Sequence, residues 1–224
     1  MRRRLLLLAP CLLPAIPLSA TAEPATAQLA MAQPAATQAP AAAPAGLPAA
    51  APPGLLETVM HRLAEVAHSR ATFTETRTIA ALAQPVRSSG RLAYRRPDRM
   101  EQITVWPRQE VLQVAGDRLT LTEDQGAPRS LALAEHPAIA GLVEAILGTL
   151  AGDLAGLRRA YRVRIAGTPA AWRLTLLPRE PALAALLRQV TIDGAGASLR
   201  RVHSIQANGD ESVMRIAPAG SPAG

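Results

Sequence analysis

The sequence predicts an α+β domain in which a few helices cover an antiparallel sheet. Three observations carry that prediction. An amphipathic helical pattern opens the domain, short β-prone runs recur at close intervals between turn residues, and a second helical block separates two such series of strands. The chain has 224 residues and a formal net charge of +7, and its 24 basic side chains are all Arg. With so much Ala and Pro beside it, an all-Arg basic set reads as a codon preference and not as a binding device. Cys11 is the single cysteine, which excludes a disulfide framework and a Cys-based zinc site. Beyond the start of the chain no apolar run is long enough for a membrane-spanning helix, so a multi-span helical membrane protein is excluded.

Taken in order, Leu56, Val59, Met60, Leu63, Val66 and Ala67 recur at helical spacing, with Glu57, Arg62, Glu65 and Arg70 turned elsewhere. They predict a helix over residues 55–70. A Thr-rich stretch at 71–83 and runs at 91–94, 100–106 and 111–114 predict strands. Ser89-Gly90, Arg96-Pro97-Asp98, Pro107, Gly116-Asp117 and Asp124-Gln125-Gly126 supply the turns. A second helical block is expected over 136–160. Ile139, Leu142, Val143, Ile146, Leu147 and Leu150 form its apolar face, and Gly152 and Gly156 weaken its second half. Tyr161, Val163 and Ile165 then alternate with Arg162 and Arg164, and Trp172, Leu174 and Leu176 alternate with Arg173 and Thr175, the period of two that a strand requires. A Pro-led helical stretch at 181–187 leads into a strand at 190–193. Strands at 199–207 and 212–216 are joined through Asn208-Gly209, a hairpin signal.

The ends of the chain read differently. Arg2, Arg3 and Arg4 precede an apolar stretch at 5–18, and Ala20-Thr21-Ala22 fits a small-x-small cleavage site. Residues 1–22 are therefore expected to be a secretory signal peptide, and Pro10, Pro14 and Pro17 suit a cleaved segment better than a stable span. Pro10 stands before Cys11 where lipidation would call for a small residue, which argues against a lipid anchor there. Removing three Arg lowers the net charge to +4 (7 − 3), which undercuts nucleic-acid binding. Residues 23–54 are about two-thirds Ala and Pro, 14 Ala and 7 Pro among 32 residues, with one charge, which predicts an extended, disordered linker. The folded domain is expected over 55–218, followed by a short tail at 219–224.

Catalytic constellations are not legible. His61 and His68 fall seven residues apart on the expected first helix without an HExxH pattern or acidic partner. His136 precedes Pro137, and His203 lies in a strand. No calcium loop and no phosphate-binding loop occurs. The reading is of a protein that is not an enzyme, with no catalytic residues, no metal and no cofactor. Same-face apolar rows on a sheet leave two options open, a closed core or a cavity that accepts a ligand.

The stretch Gly90-Arg91-Leu92-Ala93-Tyr94-Arg95-Arg96-Pro97-Asp98-Arg99-Met100 resembles the periplasmic outer-membrane lipoprotein carrier (LolA) family. That family has a Gly-x-Leu strand running into Arg-Pro, then a Pro, then a Gly-containing turn into the next strand. Here these are Arg96-Pro97, Pro107 and Gly116-Asp117-Arg118-Leu119. Ala71-Thr72-Phe73-Thr74-Glu75 is similar to the family's strand after the first helix, and Trp172-Arg173-Leu174-Thr175-Leu176-Leu177-Pro178 to its apolar strand ending in Pro. The resemblance implies an unclosed antiparallel half-barrel with helices lying across its mouth and acyl chains held in an apolar cavity. It implies a lid-latch role for Arg96 through hydrogen bonds to backbone groups, and a cavity position for Met100. Phe73, Leu92, Met100, Ile103, Leu112, Leu142, Ile146, Trp172 and Leu174 are the candidate cavity residues. The implied partners are lipid acyl chains or lipoproteins, an inner-membrane transporter and an outer-membrane receptor, with the carrier acting as a periplasmic monomer.

This chain departs from the family pattern at three places. Glu101-Gln102 stands where Arg-Trp is frequent, Glu75 stands where Gln is usual, and the sequence after the last hairpin is Ala217 to Gly224 in place of a further loop and strand. These departures bear on the cargo more than on the fold, and leave a glycolipid or an acylated pigment precursor open beside a lipoprotein. A packed scaffold that binds a protein partner in the envelope is the alternative from another class.

Overall fold

A computed structural model describes residues 52–124 and 126–219. The expected signal peptide, most of the expected linker and the last residues of the tail lie outside these. The domain opens with helix α1 (Leu55–Ala64), followed by strands β1 (His68–Thr78), β2 (Val86–Arg95), β3 (Arg99–Trp106), β4 (Glu110–Ala115), β5 (Arg118–Glu123) and β6 (Arg129–Ala132). A 3₁₀ turn (Leu133–Glu135) leads to helices α2 (Pro137–Ala151) and α3 (Leu154–Ala160). Strands β7 (Tyr161–Thr168) and β8 (Ala171–Pro178), a single helical turn α4 (Pro181–Ala184), and strands β9 (Leu187–Ala195), β10 (Ser198–Gln206) and β11 (Glu211–Pro218) complete it.

All strands belong to one antiparallel 11-stranded sheet in the order β6-β5-β4-β3-β2-β1-β11-β10-β9-β8-β7. The sheet is not closed, and β6 and β7 are its two edges. The order explains the position of the helices. The chain walks outward from β1 to one edge, must cross to the other, and then walks back until β11 pairs with β1. The crossing segment is α2 with α3, so these helices lie over the sheet's inner face, where their apolar sides are buried. This is the half-barrel with covering helices that the family resemblance implies.

Two packed regions share that face. One joins α1, α3 and β7–β10 through Val59, Leu63, Leu157, Tyr161, Leu174, Leu176, Val190 and Ile192, each at most 1 % exposed. The other joins α2 to β2–β5 through Ile139, Val143 and Leu147, which recur every four residues and meet Leu112, Val114, Leu119 and Leu121. Leu142, Ile146 and Leu150, the adjacent stripe of α2, touch both regions.

Several element boundaries differ from the sequence expectation, each for a local reason. The first helix ends at Ala64 and not near residue 70, because His68, Ser69 and Arg70 pair with Arg95, Tyr94 and Ala93 of β2. Sheet pairing overrides the helical period that Val66 and Ala67 continue. His68 therefore opens a strand and does not share a helix with His61. The expected helix over 136–160 is two helices. Gly152 adopts a left-handed φ of 69° that stops α2, and the Asp153 side chain accepts from Gly156 N at 2.8 Å to start α3. Strands β5 and β6 lie beyond the runs expected from sequence, although Leu119 and Leu121 alternate with Arg118, Thr120 and Thr122. The Asn208-Gly209 turn joins the last two strands as expected, with Gly209 at φ 90°.

Candidate functional site

Between the inner face of the sheet and the helices lies a cavity of about 140 Å³, roughly ten times the space a single buried water needs. Its sheet wall comes from β1, β2, β3, β10 and β11, where inward positions fall every second residue. Ala71, Leu92, Met100, Val202, Met214 and Ile216 supply the apolar part of that wall. Leu142, Ile146 and Leu150 of α2 form one side of the roof, and Leu63 and Val66 at the exit of α1 form another. The roof leucines and isoleucine of α2 are only half-buried, unlike the stripe beside them.

Polar side chains interrupt this apolar lining. Glu75, Gln102, Ser204 and Ser212 face the cavity, and Glu75 and Gln102 are 3 % and 1 % exposed. The Glu75 carboxylate accepts from the Ser212 hydroxyl and, at 3.4 Å, from the Ser88 hydroxyl. Burial pushes its carboxyl above the ordinary range, while the Ser212 hydroxyl, the Arg77 guanidinium and the Ser88 hydroxyl pull it back. The side-chain amide of Gln102 and the phenolic oxygen of Tyr94 have no hydrogen-bond partner within the protein.

Arg96 sits outside the cavity, on the surface beside the end of α1. Its guanidinium donates from Nη1 to the Ala64 carbonyl oxygen, and its backbone N–H donates to Ala67 O at 2.9 Å. A cation at a helix C-terminus satisfies an otherwise unpaired carbonyl and complements the helix dipole. The segment it holds carries Leu63 and Val66, the roof residues contributed by α1. The other helix is fixed by Tyr161, whose hydroxyl donates to Gly141 O at 2.5 Å and whose burial raises its phenol above the usual range. At its far end α2 closes on α1, because Gly152 lies directly against the Met60 carbonyl and Ala64.

The candidate residues divide as follows. Leu92, Met100, Leu142 and Ile146 come together in the cavity wall. Phe73 is on the same face of β1 as Ala71 and Glu75, but its ring packs over Gly90 as a core side chain. Leu112 is buried beneath α2. Trp172 and Leu174 belong to the solid core over β7–β9, with the Trp172 indole stacked on Gly194 and donating to Gly196 O at 2.9 Å. Ile103 is a correction: it alternates with Gln102 and Thr104 along β3 and pairs with Arg91 and Val111, so it lies on the outer face. A one-residue offset in assigning the strand face is enough to invert such a position. Glu75, Gln102, Ser204, Ser212 and Tyr94 were missed as wall residues. Their signal was available in principle, as polar residues at inward positions of otherwise apolar strands. Among the described residues no group of three or more His, Cys, Asp or Glu side chains could hold a metal ion, and no helix is long and apolar enough to cross a membrane.

The description "Outer membrane lipoprotein carrier protein LolA-like" belongs to a family whose model matches residues 49–224, the whole of this domain. The chain belongs to that LolA-like family. No curated protein sequence matches it. Solved structures similar in shape include a LolA superfamily protein from Nitrosomonas europaea, at 11 % identity and a TM-score of 0.39, covering 75 % of this chain and 95 % of that one. A DUF1329 family protein from Desulfovibrio piger matches at 7 % identity and a TM-score of 0.40, over 75 % and 93 %. The MucA/MucB complex of Pseudomonas aeruginosa matches at 14 % identity and a TM-score of 0.40, over 75 % and 58 %. Membership in the LolA-like family rests on the family match and on the open 11-stranded sheet.

Proposed function

We propose that this LolA-like protein is a periplasmic carrier that shields lipid acyl chains in its cavity during transfer from the inner to the outer membrane. The observation that carries the reading is a roof of half-buried apolar side chains, Leu142, Ile146 and Leu150, facing an apolar sheet wall across unfilled space. A roof packed for stability alone would bury that stripe as deeply as its neighbours Ile139, Val143 and Leu147. Removing a methylene from water is worth about 0.8 kcal/mol, so an acyl chain of ordinary length has ample reason to enter once the roof yields. Opening requires the end of α1, with Leu63 and Val66, to swing away from the β2–β3 turn, and Arg96 at Ala64 is the latch. The signal peptide at 1–22 delivers the chain to the periplasm, where an inner-membrane transporter loads it and an outer-membrane receptor unloads it.

Native mass spectrometry of protein purified from the periplasm without detergent, with lipid extraction alongside, tests this. A bound acylated species is expected, and it would identify the cargo as a lipoprotein, a glycolipid or another acylated precursor. Met100→Glu places a charge in the wall and should reduce binding of a fluorescent fatty-acyl probe while the far-UV spectrum stays native. An apo mass together with no probe binding by the wild type would hand the protein to the scaffold reading.

A further inference from the structure

The cavity wall is not uniformly greasy, and its polar members are not arranged to satisfy one another. Gln102 is 1 % exposed, lines the cavity, and leaves both its amide nitrogen and its amide oxygen without a protein partner. Tyr94, 5 % exposed and also on the wall, leaves its hydroxyl unpaired. The two stand on neighbouring strands one diagonal step apart, since Tyr94 pairs with Met100 and Leu92 pairs with Gln102. Thr104, the next inward residue of β3, is buried with its hydroxyl unpaired as well. Leaving such groups unsatisfied destabilises the fold, and an apolar residue of similar size would avoid that penalty.

A primary amide offers both a donor and an acceptor, and so does a phenol. The complement of that pair is a neutral group that donates and accepts at once. An ester only accepts, and a ligand carboxylate would face Glu75, already held in place by Ser212 and Ser88. We propose that the Gln102–Tyr94 seam recognises a neutral donor–acceptor group, an amide or a hydroxyl, attached to the acyl chain that enters the cavity. This selectivity rests on the carrier reading above and names the class of acyl ligand that reading leaves open.

The experiment is displacement of a fluorescent fatty-acyl probe at pH 8 by chains of one length that end in an amide, an alcohol, a methyl ester or a carboxylate. The amide or the alcohol should displace at about tenfold lower concentration than the ester or the acid, the factor that one ordinary hydrogen bond sets. Preference for the amide points to an N-acyl linkage, and preference for the alcohol to a hydroxylated chain. Gln102→Leu should still bind the probe, lose the ordering, and unfold at higher temperature, because it removes an unsatisfied buried amide. Tyr94→Phe, which deletes one oxygen, should weaken the ordering in the same direction. An unchanged ordering in both variants overturns the seam while leaving the carrier intact. A lowered melting temperature for Gln102→Leu also overturns it, since the amide would then be satisfied for structural reasons. If no chain displaces the probe from the wild type, the carrier reading falls with it.

Discussion

The two halves of the sheet are built to one pattern and filled in different ways. In the β7–β9 part, inward side chains are apolar and closed over: Tyr161, Leu174, Leu176, Val190 and Ile192 are fully buried, and the polar atoms among them are used. The Tyr161 hydroxyl reaches Gly141 O and the Trp172 indole reaches Gly196 O. In the β1–β4 half the same inward register carries Glu75, Gln102, Thr104 and Glu110, all buried. The amide of Gln102 and the hydroxyls of Tyr94 and Thr104 go unpaired. One part is a closed apolar core, and the other is a cavity wall that mixes apolar and polar side chains. Satisfied polar groups cost a fold little, whereas unsatisfied buried ones are costly and are expected at functional or strained sites.

The sharpest way to break this comparison is to truncate one leucine in each half. Leu174→Ala empties a fully buried site among Leu176, Ile192 and Val190 and should cost about 2–5 kcal/mol in urea unfolding. Leu92→Ala removes a half-buried cavity residue and should cost less than half as much, because the space beside it is already open. Equal losses would mean that the cavity wall is packed as tightly as the core, and the distinction between the halves would fail.

A second contrast is electrostatic. Glu110 projects inward from β4, directly opposite Glu123 on β5 and beside Thr104 on β3. Burial pushes its carboxyl up to about 7, Glu123 adds to the rise, and Arg108 and Arg77 oppose it. The folded protein therefore holds this proton more tightly than the unfolded chain, so Glu110 lowers stability as pH rises from about 4.5 through 7. Glu110→Gln should leave stability near pH 4.5 almost unchanged and raise it by about 2 kcal/mol at pH 8. Chemical denaturation at the two pH values checks this. A gain of equal size at both would show that the carboxyl is not the source of the pH dependence.

How much of this was legible from sequence follows the same division. The β8 pattern of Trp172, Leu174 and Leu176 against Arg173 and Thr175 declares a strand and its buried face at once, because packing there is pure alternation. The β3 pattern does not. In Met100-Glu101-Gln102-Ile103-Thr104-Val105 the inward residues include Gln102 and Thr104, and the apolar Ile103 points outward. Hydrophobicity alone therefore points to Ile103 as the inward residue, where the register places Gln102. Helix ends behaved likewise: Gly152-Asp153 marks a stop and a cap whose chemistry is local, whereas the end of α1 at Ala64 is set by pairing between His68 and Arg95, which no local signal records. Two of the departures from the LolA pattern, Glu75 and Gln102, put polar side chains on the cavity wall.

The smallest effect on stability is expected at Arg96, and it is the most informative about function. Its guanidinium is exposed and donates to one carbonyl at the end of α1, so its loss should cost no more than about 1 kcal/mol. Arg96→Leu keeps the bulk and removes the donors. Arg96→Lys keeps the charge but gives up the planar fork that lets one group hold a fixed geometry. If Arg96 only stabilises the turn, both variants should follow the wild type in acyl-probe exchange once the small difference in melting temperature is allowed for. If it latches the roof, Arg96→Leu should exchange the probe several-fold faster at nearly unchanged stability, with Arg96→Lys between the two. Stopped-flow transfer of the probe to vesicles separates these cases, because a roof that opens more often speeds both entry and release while the packed β7–β9 part stays closed.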